Sequence, residues 1–221
     1  MDKPVTLESR LATLRNASAE RQPKVAALHQ RLFAELAETV VPGVRNIGDK
    51  APEIQLESAT GNREVRLSWL LDSGPLIVSF YRGHWCPYSN VQLSSLAQAY
   101  PEMHTLGANI LYVGPETRPN AAKMRAKWDA PFPVLCDTDG HVMDSFDVGF
   151  EMPDYLRDDY RSVGLPDLNP GTGWRLPIPA TFFVDQLGVI RARHVDPDFT
   201  RRAEPADIVA VLKRLKRSIA A

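Results

Sequence analysis

Three short apolar runs between Pro75 and Cys136, PLIVSFY, NILYVG and FPVLC, alternate with two longer segments that carry apolar residues at helical spacing. Runs of that length, apolar throughout, read as strands buried on both faces. The intervening segments, CPYSNVQLSSLAQAYPEMHTL and PNAAKMRAKW, read as helices. Strand, helix, strand, helix, strand is the pattern of a parallel sheet with right-handed crossovers. Ahead of it, KAPEIQLES reads as a strand and ATGNRE as a turn. Behind it come a short helix over His141 to Phe146 and an irregular stretch from Glu151 to Trp174. ATFFVD and VIRARHV follow, joined through Gln186 to Gly188 as a hairpin.

The first 45 residues differ in character. Leu7, Leu11 and Leu14 recur at helical spacing, and Val25, Leu28, Leu32 and Leu36 continue the period beyond Pro23. Two amphipathic helices are therefore expected to form an extension over residues 1–45, packed on their own domain or on a second subunit in a homodimer. Residues 46–221 are expected to form one α/β domain with a central mixed, mostly parallel sheet flanked by helices. Its closing helix, Pro205 to Ala220, carries Ile208, Val211, Leu212, Leu215 and Ile219 on one face.

A chain of 221 residues, 44% of them hydrophobic, can bury one full core. Twenty-six basic residues oppose 27 acidic ones, so the net charge of -1 offers no electrostatic case for a nucleic-acid partner. The cluster Lys213, Arg214, Lys216 and Arg217 complements a helix C-terminus and reads as a solvated face. The N-terminus lacks the uninterrupted apolar run of a secretory signal, and no segment approaches a membrane span. Only Cys86 and Cys136 contain thiols, and a domain of this size does not need a disulfide to fold, which favours the cytoplasm.

Cys86 stands where PLIVSFY gives way, through Arg82, Gly83, His84 and Trp85, to a helix that starts at Pro87. Proline suits the first helical position, so Cys86 falls at the N-cap. There unpaired backbone N–H groups favour a thiolate, and Arg82 adds positive charge. A partly exposed, acidified thiol is expected. Tyr81, Trp85 and Tyr88 surround it in sequence, while Tyr155, Tyr160 and Trp174 populate the long connection downstream, whose length suits a lid. Cys136 closes the third strand; an intervening strand would hold it beyond disulfide reach, so a resolving role is the lesser reading. His29, His104, His141 and His194 show no ligand spacing with either cysteine, and no metal or other cofactor is expected.

The segment SFYRGHWCPYSNVQL resembles the active-site segment F-Y-R-G-x-W-C-P-Y-C of the peroxiredoxin-like branch of the alkyl hydroperoxide reductase and thiol-specific antioxidant family. GDKAPEIQL, FPVLCDTDGHVMDSFDV and PIPATFFVDQLGVIRARHVDPDFTRRAEP match in the same order. The resemblance implies a thioredoxin-like fold with Cys86 as attacking thiol, Arg82 and Trp85 beside it, and substrate near Tyr81, Pro87, Tyr88 and Ser89. It also implies that Pro179 is cis and turns the backbone of Ile178 towards Cys86. Two departures matter. Ser89 replaces the family's second cysteine, so no disulfide forms within C-P-Y-S. Peroxiredoxins proper carry proline and threonine seven and three residues before the cysteine, where Ser79 and Gly83 stand here.

Three functions follow from these residues. The first is a peroxidase, in which Cys86 becomes a sulfenic acid and an external thiol, glutathione or thioredoxin, recycles it. The second is single-cysteine thiol-disulfide exchange, since C-P-Y-S also resembles the monothiol glutaredoxin motif. The third is a non-catalytic binding module.

Overall fold

The computed structural model describes residues 6–61 and 63–219, with Ser218 and Ile219 described by backbone alone. The expectations for Met1 to Val5, for Asn62 in the turn, for the Ile219 side chain and for Ala220 lie outside the described residues. The chain opens with α1 (Leu7–Arg21) and α2 (Pro23–Thr39), separated at Gln22. Thr6 caps α1 by accepting from the Ser9 N–H, and Pro23 begins α2 at the first-turn position that tolerates it. Both helices pack on their own chain: α1 lies along a helix of the domain, α4 (Pro87–Thr105), and buries Leu7 and Leu11.

The domain continues through β1 (Gln55–Ser58), β2 (Glu64–Arg66), α3 (Leu67–Leu71) and β3 (Leu76–Phe80) into α4. Then come β4 (Asn109–Gly114), α5 (Arg118–Lys127), β5 (Val134–Cys136) and α6 (His141–Ser145). The expected βαβαβ unit is therefore present, with β3 parallel to β4 and β4 parallel to β5. After β6 (Gly149–Glu151) follow α7 (Asp154–Val163), α8 (Leu165–Leu168), β7 (Arg175–Pro177), β8 (Ala180–Val184), β9 (Ile190–Val195) and α9 (Pro205–Ile219).

Seven strands form one sheet in the order β2-β1-β5-β4-β3-β8-β9. It is mixed, as expected, but not mostly parallel: parallel pairing is confined to its three central strands, because β1 joins β5 and β8 joins β3 antiparallel and β2 and β9 pair antiparallel at the edges. β8 and β9 make the expected hairpin. Side chains alternate along β3, so Val78 and Phe80 enter the core under α6 and α7, while Ile77 and Tyr81 enter the core under α4, α5 and α9.

The stretch from Glu151 to Trp174 is not irregular. It folds into α7 and α8 and is tied at its base by pairing of β6 with β7. Leu156 and Tyr160, one turn apart, bury one face of α7, and the opposite face is charged. Among the described residues no helix is long and apolar enough to cross a membrane.

Candidate active site

β3 delivers Arg82 and Cys86 to one end of the sheet. Cys86 is the N-cap of α4 with φ -82° and ψ 116°, and Pro87 takes the first helical position. Gly83 makes the turn possible. It adopts φ +148°, and a Cβ there would stand 2.2 Å from the Trp85 indole nitrogen. A threonine, which peroxiredoxins proper carry at this point, is excluded by that ring. Ser79, at the other departed position, is spent inside the sheet. Its Oγ pairs with Thr181 Oγ1 at 3.0 Å and accepts from Gln92 Nε2 at 3.2 Å.

The Cys86 sulfur is not partly exposed as expected; the residue retains 1% of its accessible surface. The N-terminal helices close over it, so Leu7, Leu11, Phe33, Tyr88 and Phe199 form one apolar cluster with Cys86. A cavity of about 300 Å³ lined by α1, α2 and α7 also has Cys86, Arg82, Trp85, Pro87 and Tyr88 in its wall. His29, Phe33, Tyr160 and Phe199 line the rest of the wall near the sulfur.

Burial alone would push the Cys86 thiol up. Arg82 and Arg202 outweigh it, with help from the hydroxyl and backbone N–H of Ser89, and the net shift is downward. The sulfur closes no capping hydrogen bond of full geometry, so the two guanidinium groups are the larger influence. Arg82 is buried, donates from Nη2 to the Tyr160 hydroxyl at 2.5 Å, and lies 3.9 Å over the Phe199 ring. Arg202 is 6% exposed, and its three guanidinium nitrogens have no hydrogen-bond partner among the described residues. Burial lowers its pKa and the Cys86 charge raises it. Two buried cations beside one ionisable thiol favour the anion.

Several expected site residues lie elsewhere. Tyr81 emerges on the opposite face from Phe80, stacks on Tyr112 at 4.3 Å and donates to buried Glu116 at 2.7 Å. It is absent from the cavity wall because side chains alternate along an extended chain. Ser89 sits beneath the sulfur, its Oγ accepting from the Arg82 N–H at 3.3 Å. Ile178 and Pro179 do not reach the cavity. The described residues contain no cis peptide bond, so the bond preceding Pro179 is trans. The Ile178 N–H donates to the Val148 carbonyl at 2.8 Å, and its side chain is buried in the core between β7 and β8.

Cys136 ends β5, with β4 between it and β3, as the sequence order required. Burial and Glu116 push its thiol up to about 12. At pH 7.5 fewer than about one molecule in ten thousand would then carry the Cys136 thiolate. Alkylation of the native protein should label Cys86 well before Cys136, and Cys136→Ser should leave Cys86 oxidation unchanged. Recovery of a dominant Cys86–Cys136 disulfide after one equivalent of peroxide would refute this.

His29 and Arg202 escaped the sequence reading, and so did the role of Phe199. His29 follows the pattern of an ordinary helix residue, and Arg202 sits in a loop with no periodicity. A further grouping of Asp137, Asp139 and His141 brings three ligand atoms within 4.8 Å. Asp137, its one buried member, is committed to capping α6 through the N–H groups of Val142 and Met143.

The fold and the thiol at a strand-to-helix junction define a thioredoxin-like protein. The chain belongs to the AhpC/TSA family, whose model matches residues 47–193. It is 30% identical over 102 residues to the thiol-disulfide oxidoreductase ResA of Bacillus subtilis, a match covering 46% of this chain and 55% of that protein. A second ResA, from Geobacillus thermodenitrificans, is 24% identical over 146 residues, 66% of this chain and 67% of its own. Among solved structures, the peroxidoxin BcpB of Mycobacterium tuberculosis superposes with a TM-score of 0.59 at 20% identity, over 76% of this chain and 96% of that one. The reduced 2-Cys peroxiredoxin of Plasmodium vivax gives 0.61 at 15%, over 78% and 83%. These structural likenesses establish the fold.

Proposed function

We propose that this protein is a one-cysteine thiol peroxidase. The observation that carries the reading is a single buried thiol in the wall of a small cavity, with two buried guanidinium groups whose charges favour its anion. The Cys86 thiolate attacks the terminal oxygen of a peroxide. An S–O bond forms, the O–O bond breaks, and water or an alcohol leaves with a proton supplied to it. Ser89 cannot close a disulfide, so the sulfenic acid waits for an external thiol. That thiol displaces water to form a mixed disulfide, and a second thiol releases reduced Cys86. Burial of the sulfur favours a small thiol such as glutathione over a protein such as thioredoxin. Both cysteines are free, in keeping with a reducing compartment such as the cytoplasm.

The ResA relatives favour thiol-disulfide exchange as the second reading. Against it stand the burial of Cys86 and the Ile178 N–H, which is already bonded and offers no edge to an extended thiol substrate. Stopped-flow mixing with hydrogen peroxide and an organic hydroperoxide, followed by dimedone trapping and mass analysis, tests the choice. A labelled Cys86 formed much faster than free cysteine reacts is expected. Exchange with glutathionylated substrates and no such acceleration would install the second reading.

A further inference from the structure

The peroxidase reading leaves one requirement unassigned: the oxygen that departs from the cleaved O–O bond needs a proton, and of the two phenols that line the cavity, Tyr88 and Tyr160, only Tyr160 is bonded to Arg82 among the described residues. Arg82 faces the sulfur, but a guanidinium does not give up a proton at physiological pH. The hydroxyl bonded to Arg82 can. Tyr160 Oη accepts from Arg82 Nη2 at 2.5 Å and lies 3.2 Å from His29 Nε2. Both Tyr160 and His29 line the cavity that contains Cys86.

We propose that Tyr160 is the general acid that protonates the leaving oxygen during Cys86 oxidation, and that His29 is the positioning residue that holds its proton ready.

The hydrogen-bond accounting sets the direction of this short chain. Arg82 has only hydrogens to offer, so the Tyr160 oxygen receives one of them and its own proton must point to another acceptor. His29 Nε2 is that acceptor if the ring is neutral, with its proton on Nδ1. Burial and then the Arg82 charge lower the His29 pKa to about 4, which keeps the ring neutral. Edge contacts to Tyr160, with centroids 6.0 Å apart, and to Phe199, at 4.9 Å, hold the imidazole in place. Burial raises the Tyr160 pKa against the lowering influence of Arg82, so the phenol stays protonated until a stronger base appears.

An alkoxide is such a base. As the Cys86 sulfur bonds to the terminal peroxide oxygen, the O–O electron pair passes to the departing oxygen. The phenol proton then turns from His29 to that oxygen, and an alcohol leaves. The phenolate left behind faces Arg82 and regains a proton from water that enters as the alcohol departs. The thiolate, the peroxide and one solvent proton thus give a sulfenic acid and an alcohol. This inference rests on the peroxidase reading. It adds a group from α7 and one from α2, the latter outside the part of the chain that matches the family.

A proton donor matters in proportion to the basicity of the group that leaves. Cumene hydroperoxide expels an alkoxide, whereas peracetic acid expels acetate, a weak base. Stopped-flow rates of Cys86 oxidation by both reagents, in the wild type, Tyr160→Phe, His29→Leu and His29→Gln, therefore form the test. Tyr160→Phe should slow the cumene hydroperoxide reaction about 100-fold, the low end for loss of a general acid, and slow peracetic acid at least about tenfold less. His29→Leu should show a smaller loss of the same selectivity, and His29→Gln, whose amide oxygen can accept the phenol proton, should restore most of it. Equal losses with the two reagents would mean that Tyr160 merely orients Arg82, and would overturn the proposal. Across a leaving-group series the wild type should depend only weakly on leaving-group basicity. A dependence as steep as that of a free thiolate would overturn it without any variant. A wild type that reacts with neither reagent faster than free cysteine would overturn the peroxidase reading itself.

Discussion

Replacing Arg202 by methionine is expected to raise the Cys86 pKa and to lower the share of thiolate at neutral pH, while the fold becomes no less stable. The opposite signs come from one fact. Arg202 is a buried cation whose guanidinium nitrogens have no hydrogen-bond partner among the described residues, so the fold bears its desolvation without local return. The charge has its use at Cys86, where it acts with Arg82 against the burial that would otherwise raise the thiol pKa. Replacing buried charges by apolar side chains of similar volume is neutral to about 4 kcal/mol stabilising, so a gain in urea midpoint is the expected direction. Thiolate absorbance against pH in a Cys136→Ser background, with urea unfolding alongside, reads both effects. An unmoved Cys86 pKa would show that Arg82 alone sets it.

Acidification from pH 6.5 to pH 4 is expected to cost the fold about 2–3 kcal/mol through His29 alone. In the unfolded chain His29 takes up a proton near pH 6.5, whereas in the fold it resists until about pH 4. Between those values the unfolded state binds more protons, so stability falls as pH falls, and above the window His29 contributes no pH dependence. The cause is first burial in the cavity wall and then the Arg82 charge. Urea midpoints of wild type and His29→Gln across this range separate the contribution from that of the carboxylates, which the two proteins share. Parallel curves would mean that His29 is hydrated and titrates normally. A related linkage concerns Cys86, whose lowered pKa stabilises the fold above the ordinary thiol value. That contribution is lost as pH falls through the folded-state pKa.

Features that depend on neighbours in the chain could be read from the residues alone. The central β3-α4-β4-α5-β5 unit, the β8-β9 hairpin and the N-cap placement of Cys86 rest on apolar period, turn residues and Pro87, all of which act over a few residues. The position of Cys136 two strands from β3 follows from strand order alone. α7 was also within reach, since Leu156 and Tyr160 are spaced one turn apart, but the charged residues between them resemble a surface loop.

The surroundings of the sulfur emerge only when distant segments fold together. His29 from α2, Tyr160 from α7, and Phe199 and Arg202 from the loop before α9 converge there from 173 positions of sequence, the span between His29 and Arg202. The same convergence buries Cys86, which as an isolated helix N-cap would be open to water. Pro179 was read as a cis neighbour of the thiol, but its peptide bond is trans, it does not line the cavity at Cys86, and the Ile178 N–H is bonded to Val148. Burial, charge and hydrogen-bond partnership depend on distances through space, and those arise when the extension and the long connection fold back over the sheet.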